Sequence, residues 1–254
     1  MNNILEVKNL CKTYIVNKRQ HHVLKNVNLK IKEGEFIAVM GPSGSGKSTL
    51  LYNVSGMDKM TAGNVIFDGD QLENLSQKDL SNLRLRKMGF VFQQTNLLKN
   101  IGIIDNIILS AYMAKDRNRK EVNNQAIKLM KQTGIIELVD NDITQASGGQ
   151  LQRVAICRAL INNPKIIFGD EPTGALNSKS ANEIMDIFRD INDEGTTIMI
   201  VTHDVKVASK TERVLYMIDG KIEGEYNLGK LSKNTDDSKN RETKLLQWLL
   251  AMGW

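Results

Sequence analysis

The sequence predicts an α/β fold with a parallel sheet at its centre and a helical lobe inserted midway along the chain. Three observations carry this. Short, continuously apolar runs recur at 36–40, 166–168, 197–201 and 214–218, as in strands buried on both faces of a parallel sheet. An amphipathic helix lies between two of these runs. The stretch from about 94 to about 160 contains no comparable run and has a helical pattern, for example over 121–132.

From the N-terminus, residues 4–10 roughly alternate apolar and polar, as a half-exposed strand does. Residues 27–32 alternate more cleanly and end at the turn Glu33-Gly34-Glu35. The first buried run, 36–40, follows at once. Further on, Ile184, Ile187, Phe188 and Ile191 fall at i, i+3, i+4 and i+7, one face of a helix placed between the buried runs at 166–168 and 197–201. After Leu228 the chain turns polar over 229–244 and ends in an apolar stretch, 245–254, carrying Trp248 and Trp254. A linker followed by a short helix docked on its own domain is expected there. The alternative is a helix that docks on a membrane surface or a partner.

The chain has 254 residues, enough for one α/β domain with a full core and a small accessory lobe. With 41% hydrophobic and 25% charged residues the composition is that of an ordinary globular protein. The net charge of +5, from 34 basic and 29 acidic residues, suits an anionic nucleotide or a lipid surface and makes no case for nucleic acid. Cys11 and Cys157 form no CxxC pair and are expected to be small, buried, reduced side chains in a cytosolic setting. No run approaches the roughly 18 apolar residues of a membrane span. Met1-Asn2-Asn3-Ile4 lacks a basic region followed by an apolar run, so no signal peptide is expected.

Gly41-Pro42-Ser43-Gly44-Ser45-Gly46-Lys47-Ser48 fits G-x-x-x-x-G-K-S/T in full, directly after a buried strand and at the start of a helix that begins near Lys47 and contains Leu50-Leu51. Glycines let the backbone curl so that successive N–H groups face phosphate oxygens. Lys47 adds a positive charge for the β/γ-phosphates, Ser48 a hydroxyl for Mg²⁺, and the helix its positive N-terminal end.

The run 166–168 ends in Gly169-Asp170-Glu171. A strand that brings Asp170 beside Ser48 completes the surroundings of a Mg²⁺ ion, usually through water. Glu171 points elsewhere and can accept a proton from the water attacking the γ-phosphate. His203, after the buried run 197–201, is placed to orient that water; a histidine after a strand is otherwise a capping or surface residue. Ser147-Gly148-Gly149-Gln150 has the form of a capping box. Two adjacent glycines serve no cap, however, and would let the backbone approach an anion at a helix N-terminus. The chain then carries a second phosphate-binding surface.

This combination resembles the nucleotide-binding subunits of ABC transporters over residues 1 to about 228. The resemblance identifies Gly41 to Ser48, with Thr49 following, as the Walker A loop, Ile166 to Asp170 as the Walker B strand and Glu171 as the catalytic glutamate. It makes Ser147 to Gln150 the signature motif, Gln93 the Q-loop glutamine near Mg²⁺, His203 the switch histidine and Tyr14 the aromatic that stacks on adenine. The fold it implies is α/β: a P-loop NTPase parallel-sheet core, an antiparallel β subdomain and an inserted helical subdomain at about 94–160, with 229–254 as a polar linker and short apolar tail. It also implies an ATPase using ATP and Mg²⁺, a head-to-tail homodimer with ATP sandwiched between one copy's Walker A loop and the other's signature, and a separate integral-membrane permease. The site of work is then the cytoplasmic face of the cell membrane.

Two positions depart from the family's pattern. Ala146 stands where the signature usually has Leu, and Asn177 where the D-loop in Gly174-Ala175-Leu176-Asn177 usually has Asp. The first is expected to matter little; the second removes a charge and is expected to loosen coupling between the two sites. Within the family the chain is most similar to lipoprotein-releasing, macrolide-exporting and antimicrobial-peptide-detoxifying systems. An extended loop at 16–22, residues 89–94, Asn96-Leu97-Leu98 and residues 170–176 carry this likeness, and 174–180 leans toward bacitracin- and lantibiotic-type resistance. ATPases of translation and DNA repair in the same superfamily carry a second ATPase domain or long coiled coils, and this sequence has neither. A role in regulating cell-division hydrolases is a further alternative.

Overall fold

In the computed structural model, which describes residues 2–231 and 235–254, the chain opens on a long hairpin. Met1, and residues 232–234 of the polar linker, lie outside the described residues. Strands β1 (Asn3–Val16) and β2 (Arg19–Lys32) pair antiparallel and extend well beyond the alternating stretches at 4–10 and 27–32. The extended loop expected at 16–22 is therefore a two-residue turn between paired strands. Asn17 and Lys18 both take left-handed φ, 50° and 62°. That combination belongs to a tight hairpin turn whose twist matches its strands. Tyr14 consequently faces His21 across the hairpin.

After β2 come β3 (Phe36–Met40), α1 (Lys47–Val54), β4 (Ala62–Phe67), β5 (Asp70–Gln71), α2 (Gln77–Lys87) and β6 (Met88–Phe92). Three helices follow, α3 (Ile103–Ala114), α4 (Arg119–Gln132) and α5 (Gly148–Leu160). The chain then alternates through β7 (Ile166–Asp170), α6 (Ser178–Asp193), β8 (Thr197–Val201) and α7 (Val205–Ala208), and ends with β9 (Arg213–Ile218), β10 (Lys221–Asn227) and α8 (Thr235–Ala251). All four apolar runs are strands, as expected. Strands β4, β6 and β10 had no counterpart in the sequence pattern. The edge strand β10 is half-exposed along its whole length, and β6 is short with a glycine at its second position.

Two sheets result. One is antiparallel, in the order β2-β1-β4-β5; the other has the order β10-β9-β3-β8-β7-β6, parallel except for the edge strand β10. Every residue of β3 is buried, and alternate residues serve opposite layers. Ile37 and Val39 join Leu50, Leu51 and Val54 of α1 and the apolar side of the antiparallel sheet. Phe36, Ala38 and Met40 join Ile184, Phe188 and Ile191 of α6 on the other side. Each large side chain so buried contributes about 1.5–3 kcal/mol of transfer free energy. Helices α3, α4 and α5 enclose a third apolar cluster around Ile107, Val122, Met130 and Val154. Cys157 is buried in it, whereas Cys11 is only half-buried, its thiol donating to Asn26 Oδ1 at 3.1 Å; both are free.

The terminal helix is longer than expected. It spans 17 residues and begins inside the polar stretch, because only its inward positions need to be apolar. Leu245 and Leu249 are fully buried in the layer that holds α6, and Trp248 packs on Tyr216 and Tyr226 with ring centroids 6.2 and 5.2 Å away. Arg241, 5% exposed, donates to the carbonyls of Ser209, Thr211, Leu228 and Gly229, tying the entry of β9 to the exit of β10. The helix therefore docks on its own fold. Among the described residues no helix is long and apolar enough to cross a membrane.

Candidate functional site

Four parallel strands, β3, β8, β7 and β6, lie side by side, so their C-terminal ends form one edge of the sheet. The loop 41–48 leaves β3, His203 follows β8, Glu171 follows β7 and Gln93 follows β6. With strands about 4.8 Å apart, these residues come together from distant parts of the chain. Ligands of open parallel sheets bind at this edge.

Gly41 begins the loop where no other residue fits: a Cβ there would lie 2.0 Å from the Met217 carbonyl oxygen. Gly46, with a left-handed φ of 99°, precedes α1 without a capping side chain, which leaves the first N–H groups of the helix available to a ligand. Pro42, Ser43 and Gly44 are exposed at the mouth. Ser45 is buried and its hydroxyl has no hydrogen-bond partner, although Gly220 N donates to its carbonyl at 3.0 Å. Lys47 Nζ donates to the carbonyls of Gly41 and Pro42 at 2.8 and 2.9 Å, so a positive charge sits inside the loop. Burial lowers the Lys47 pKa, and the carboxylates of Glu171 and Asp170 act against that.

Asp170, the last residue of β7, faces α1. Ser48 Oγ donates to its Oδ1 at 2.8 Å and the Tyr52 phenol donates to its Oδ2 at 2.6 Å. Burial first, and then the Asp170 carboxylate, push the Tyr52 pKa up to about 12. Glu171 departs from strand geometry with φ at 48°, a left-handed conformation that costs a side-chain-bearing residue about 1–2 kcal/mol. Its N–H still donates to Val201 O at 2.9 Å, and the turn behind it is closed by Gly174 N donating to Glu171 O at 3.0 Å. The reversal aims its carboxylate at His203, whose Nδ1 lies 2.8 Å from Glu171 Oε1. A carboxylate only accepts, so the imidazole is the donor. The next residue, Asp204, caps α7, its side chain accepting from Lys206 N at 2.7 Å.

Tyr14 lies near the loop's other side. Its phenol donates to Asp58 Oδ2 at 2.6 Å, and Lys12 Nζ stands 4.6 Å from the ring centroid. The ring is 37% exposed. Gln93 is exposed and turns its amide toward Gly174, where a Cβ would meet Nε2 at 3.0 Å.

Ser147 caps α5 with a reciprocal box: Ser147 N donates to Gln150 Oε1 at 2.9 Å, and Gln150 N to Ser147 Oγ at 3.4 Å. The two glycines differ. A Cβ on Gly149 would press on Ser180 Oγ at 3.2 Å, so close packing against α6 accounts for it. A Cβ on Gly148 would meet only Leu176 at an ordinary 3.9 Å, so packing within the chain does not require glycine there. Ser147 and Gly148 are exposed. The described contacts of this motif run to Leu176 and Ser180, not to the loop 41–48. Asn177 caps α6, its Oδ1 accepting from Ser180 N at 2.9 Å, a task Asn performs as well as Asp.

Two side chains in the site escaped the sequence reading. Tyr52 is one; the other is Gln152, which is buried and donates to Phe92 O at 3.0 Å and Pro172 O at 2.6 Å, pinning α5 to the segments that carry Gln93 and Glu171. In sequence each is an ordinary helix residue. The only signal was position: Tyr52 lies one turn after Ser48.

These groups suit a nucleotide polyphosphate with a hard cation. The orphaned Ser45 hydroxyl, the free N–H groups and the lysine supply donors and positive charge to anionic oxygens. The hydroxyl of Ser48, the carboxylate of Asp170 and the amide of Gln93 are the oxygen donors Mg²⁺ prefers.

The ABC transporter family profile matches residues 24–174. The chain is 43% identical to the uncharacterized ABC transporter ATP-binding protein MJ0796 of Methanocaldococcus jannaschii, over 89% of this chain and 97% of that one. It is 40% identical to the lipoprotein-releasing system ATP-binding protein LolD of Wigglesworthia glossinidia brevipalpis, over 87% of this chain and 98% of that one. With the macrolide export ATP-binding/permease protein MacB of Bdellovibrio bacteriovorus it shares 37% identity over 96% of its length, but spans only 37% of MacB. Among solved structures, a dimeric post-hydrolysis state of MJ0796 bound to ADP and Pi matches with a TM-score of 0.83 at 41% identity, covering 89% of this chain and all of that one.

Proposed function

Because this chain belongs to the ABC transporter family, as one of its ATP-binding subunits, we propose that it powers a separate membrane permease for antimicrobial-peptide detoxification or export. The observation that carries the ATPase half is the pairing of Glu171 with His203 at 2.8 Å, Glu171 standing next to Asp170 at the end of β7 and His203 coming from the neighbouring strand β8. Lys47 and the N–H groups of the loop 41–49 bind the phosphates, and Tyr14 stacks on the adenine. Glu171 accepts the proton of the attacking water, and His203 holds that carboxylate in place. Ser48 and Asp170, with Gln93 alongside, would hold Mg²⁺, which would supply positive charge to the phosphate oxygens.

A second copy completes each site. The exposed end of α5 has a glycine that packing within the chain does not require, and the solved relative MJ0796 is a dimer. Ser147, Gly148, Gly149 and Gln150 of one copy then face the ATP on the other. The ATPase unit is assigned to residues 1–228, with its helical subdomain near 94–160 and 229–254 as an accessory tail.

The permease meets a groove of about 410 Å³ beside the Q-loop, lined by Met57, Leu85, Met88, Phe90 and Phe92. Exposed Leu98, Leu109 and Met113 extend the apolar surface of the same region. The protein works as a peripheral subunit on the cytoplasmic face of the membrane. The assignment of an antimicrobial peptide as substrate is supported by the likeness of residues 174–180 to bacitracin- and lantibiotic-type resistance systems. Likeness to LolD favours lipoprotein release as the second reading, with cell-division regulation as a variant of it. Co-purification from membranes with identification of the bound integral protein tests the reading. A permease with a large extracellular domain supports peptide detoxification, and recovery of no integral partner overturns transport.

A further inference from the structure

We propose that Tyr52 is a positioning residue for the metal-binding carboxylate, holding Asp170 through the oxygen that Ser48 does not use. The inference rests on the reading of Asp170 and Ser48 as the Mg²⁺-binding pair. Ser48 and Tyr52 stand one helical turn apart on the same face of α1, and each donates to a different oxygen of one carboxylate, at 2.8 and 2.6 Å. A carboxylate bound at one oxygen is free to rotate about its Cβ–Cγ bond; bound at both, it is fixed.

The two bonds have different fates when a cation arrives. Ser48 Oγ becomes an oxygen donor to the ion, so its hydroxyl no longer serves Asp170 alone. The bond from Tyr52 to Oδ2 competes with nothing at the site. It is short and charge-assisted, the kind of contact that holds a metal-binding group through its outer partners.

The body of Tyr52 packs against the apolar layer beneath α1, a task that phenylalanine performs equally well. Its hydroxyl instead meets the polar end of β7, across 118 residues of sequence. Removing it leaves Asp170 Oδ2 without that donor in a part-buried place.

The test compares wild type with Tyr52→Phe in the full-length chain, using the non-hydrolysable probe AMP-PNP. Its Kd is measured in EDTA and in Mg²⁺, and the ratio of the two reports how strongly the site couples metal to nucleotide. Substitution of a group that supports a metal ligand weakens metal affinity about 10-fold. Tyr52→Phe is therefore expected to lower the ratio about 10-fold while leaving the Kd in EDTA within twofold of wild type. An unchanged ratio overturns the assignment. So does an equal loss of affinity in EDTA and Mg²⁺, which makes the hydroxyl a support for the loop alone. A wild-type ratio near one instead removes the Mg²⁺-nucleotide reading on which the inference stands.

Discussion

The His203 imidazole and the Glu171 carboxylate leave two neighbouring parallel strands and meet at 2.8 Å just past the last paired residues, Asp170 and Val201. Regular strand geometry alone does not produce this meeting. It depends on the left-handed turn at Glu171, which separates its direction from that of Asp170 and gives two adjacent carboxylates two different surroundings.

Glu171→Gln is expected to keep ATP binding and lower turnover by about 10²-fold or more, as loss of a general base does. Phosphate release measured beside nucleotide affinity checks this. Release at the wild-type rate reassigns the base.

His203→Ala is expected to lower turnover at least about 10-fold alone and to add little in the Glu171→Gln background, because groups that act as a unit are not additive. A double-mutant cycle on the phosphate-release rate checks this. Independent, multiplying losses separate the two residues.

Lys47→Ala is expected to weaken ATP binding. Charge-assisted hydrogen bonds are worth about 1.5–3 kcal/mol, so the Kd rises roughly 10- to 100-fold. Equilibrium titration with ATP measures it, and unchanged affinity counts against the phosphate loop.

Gly148→Asp is expected to leave ATP affinity of the monomer intact and to abolish ATP-driven dimerisation of the Glu171→Gln protein. The residue is exposed and an added side chain meets only Leu176, so the fold tolerates it. In the proposed dimer the new negative charge would face the phosphates bound by the other copy. Gel filtration at saturating ATP decides; a persistent dimer means that this surface is not part of the nucleotide sandwich.

Arg241→Ala is expected to destabilise the protein by about 3 kcal/mol, since it leaves the buried carbonyls of Ser209 and Thr211 without this donor. Urea unfolding measures the loss. A change below about 0.5 kcal/mol shows that α8 is held by its leucines and tryptophans alone.

The sequence by itself determined what is local. The apolar runs at 36–40, 197–201 and 214–218 became strands, the period of Ile184, Phe188 and Ile191 set a buried helix face, and Ser147 with Gln150 formed its box, because each depends on neighbours a few residues away. The glycine-rich loop 41–48 was legible for the same reason. Strands β4, β6 and β10 were not, since edge and half-buried strands show a weak pattern, and the hairpin turn at Asn17-Lys18 lacks the glycine that usually marks one.

Only the tertiary structure decided which residues share the site. In the chain the order is Gly41, Gln93, Glu171, His203; at the sheet edge it is Gly41, His203, Glu171, Gln93, because β8 inserts between β3 and β7. That order follows from how the two apolar layers pack on the sheet, a balance of contacts between residues far apart in sequence. The hydrogen bonds of Tyr52, Gln152 and Arg241 have the same origin. Each is a common polar residue on a helix until folding brings an acceptor to it from the end of a distant strand or from a loop beside one.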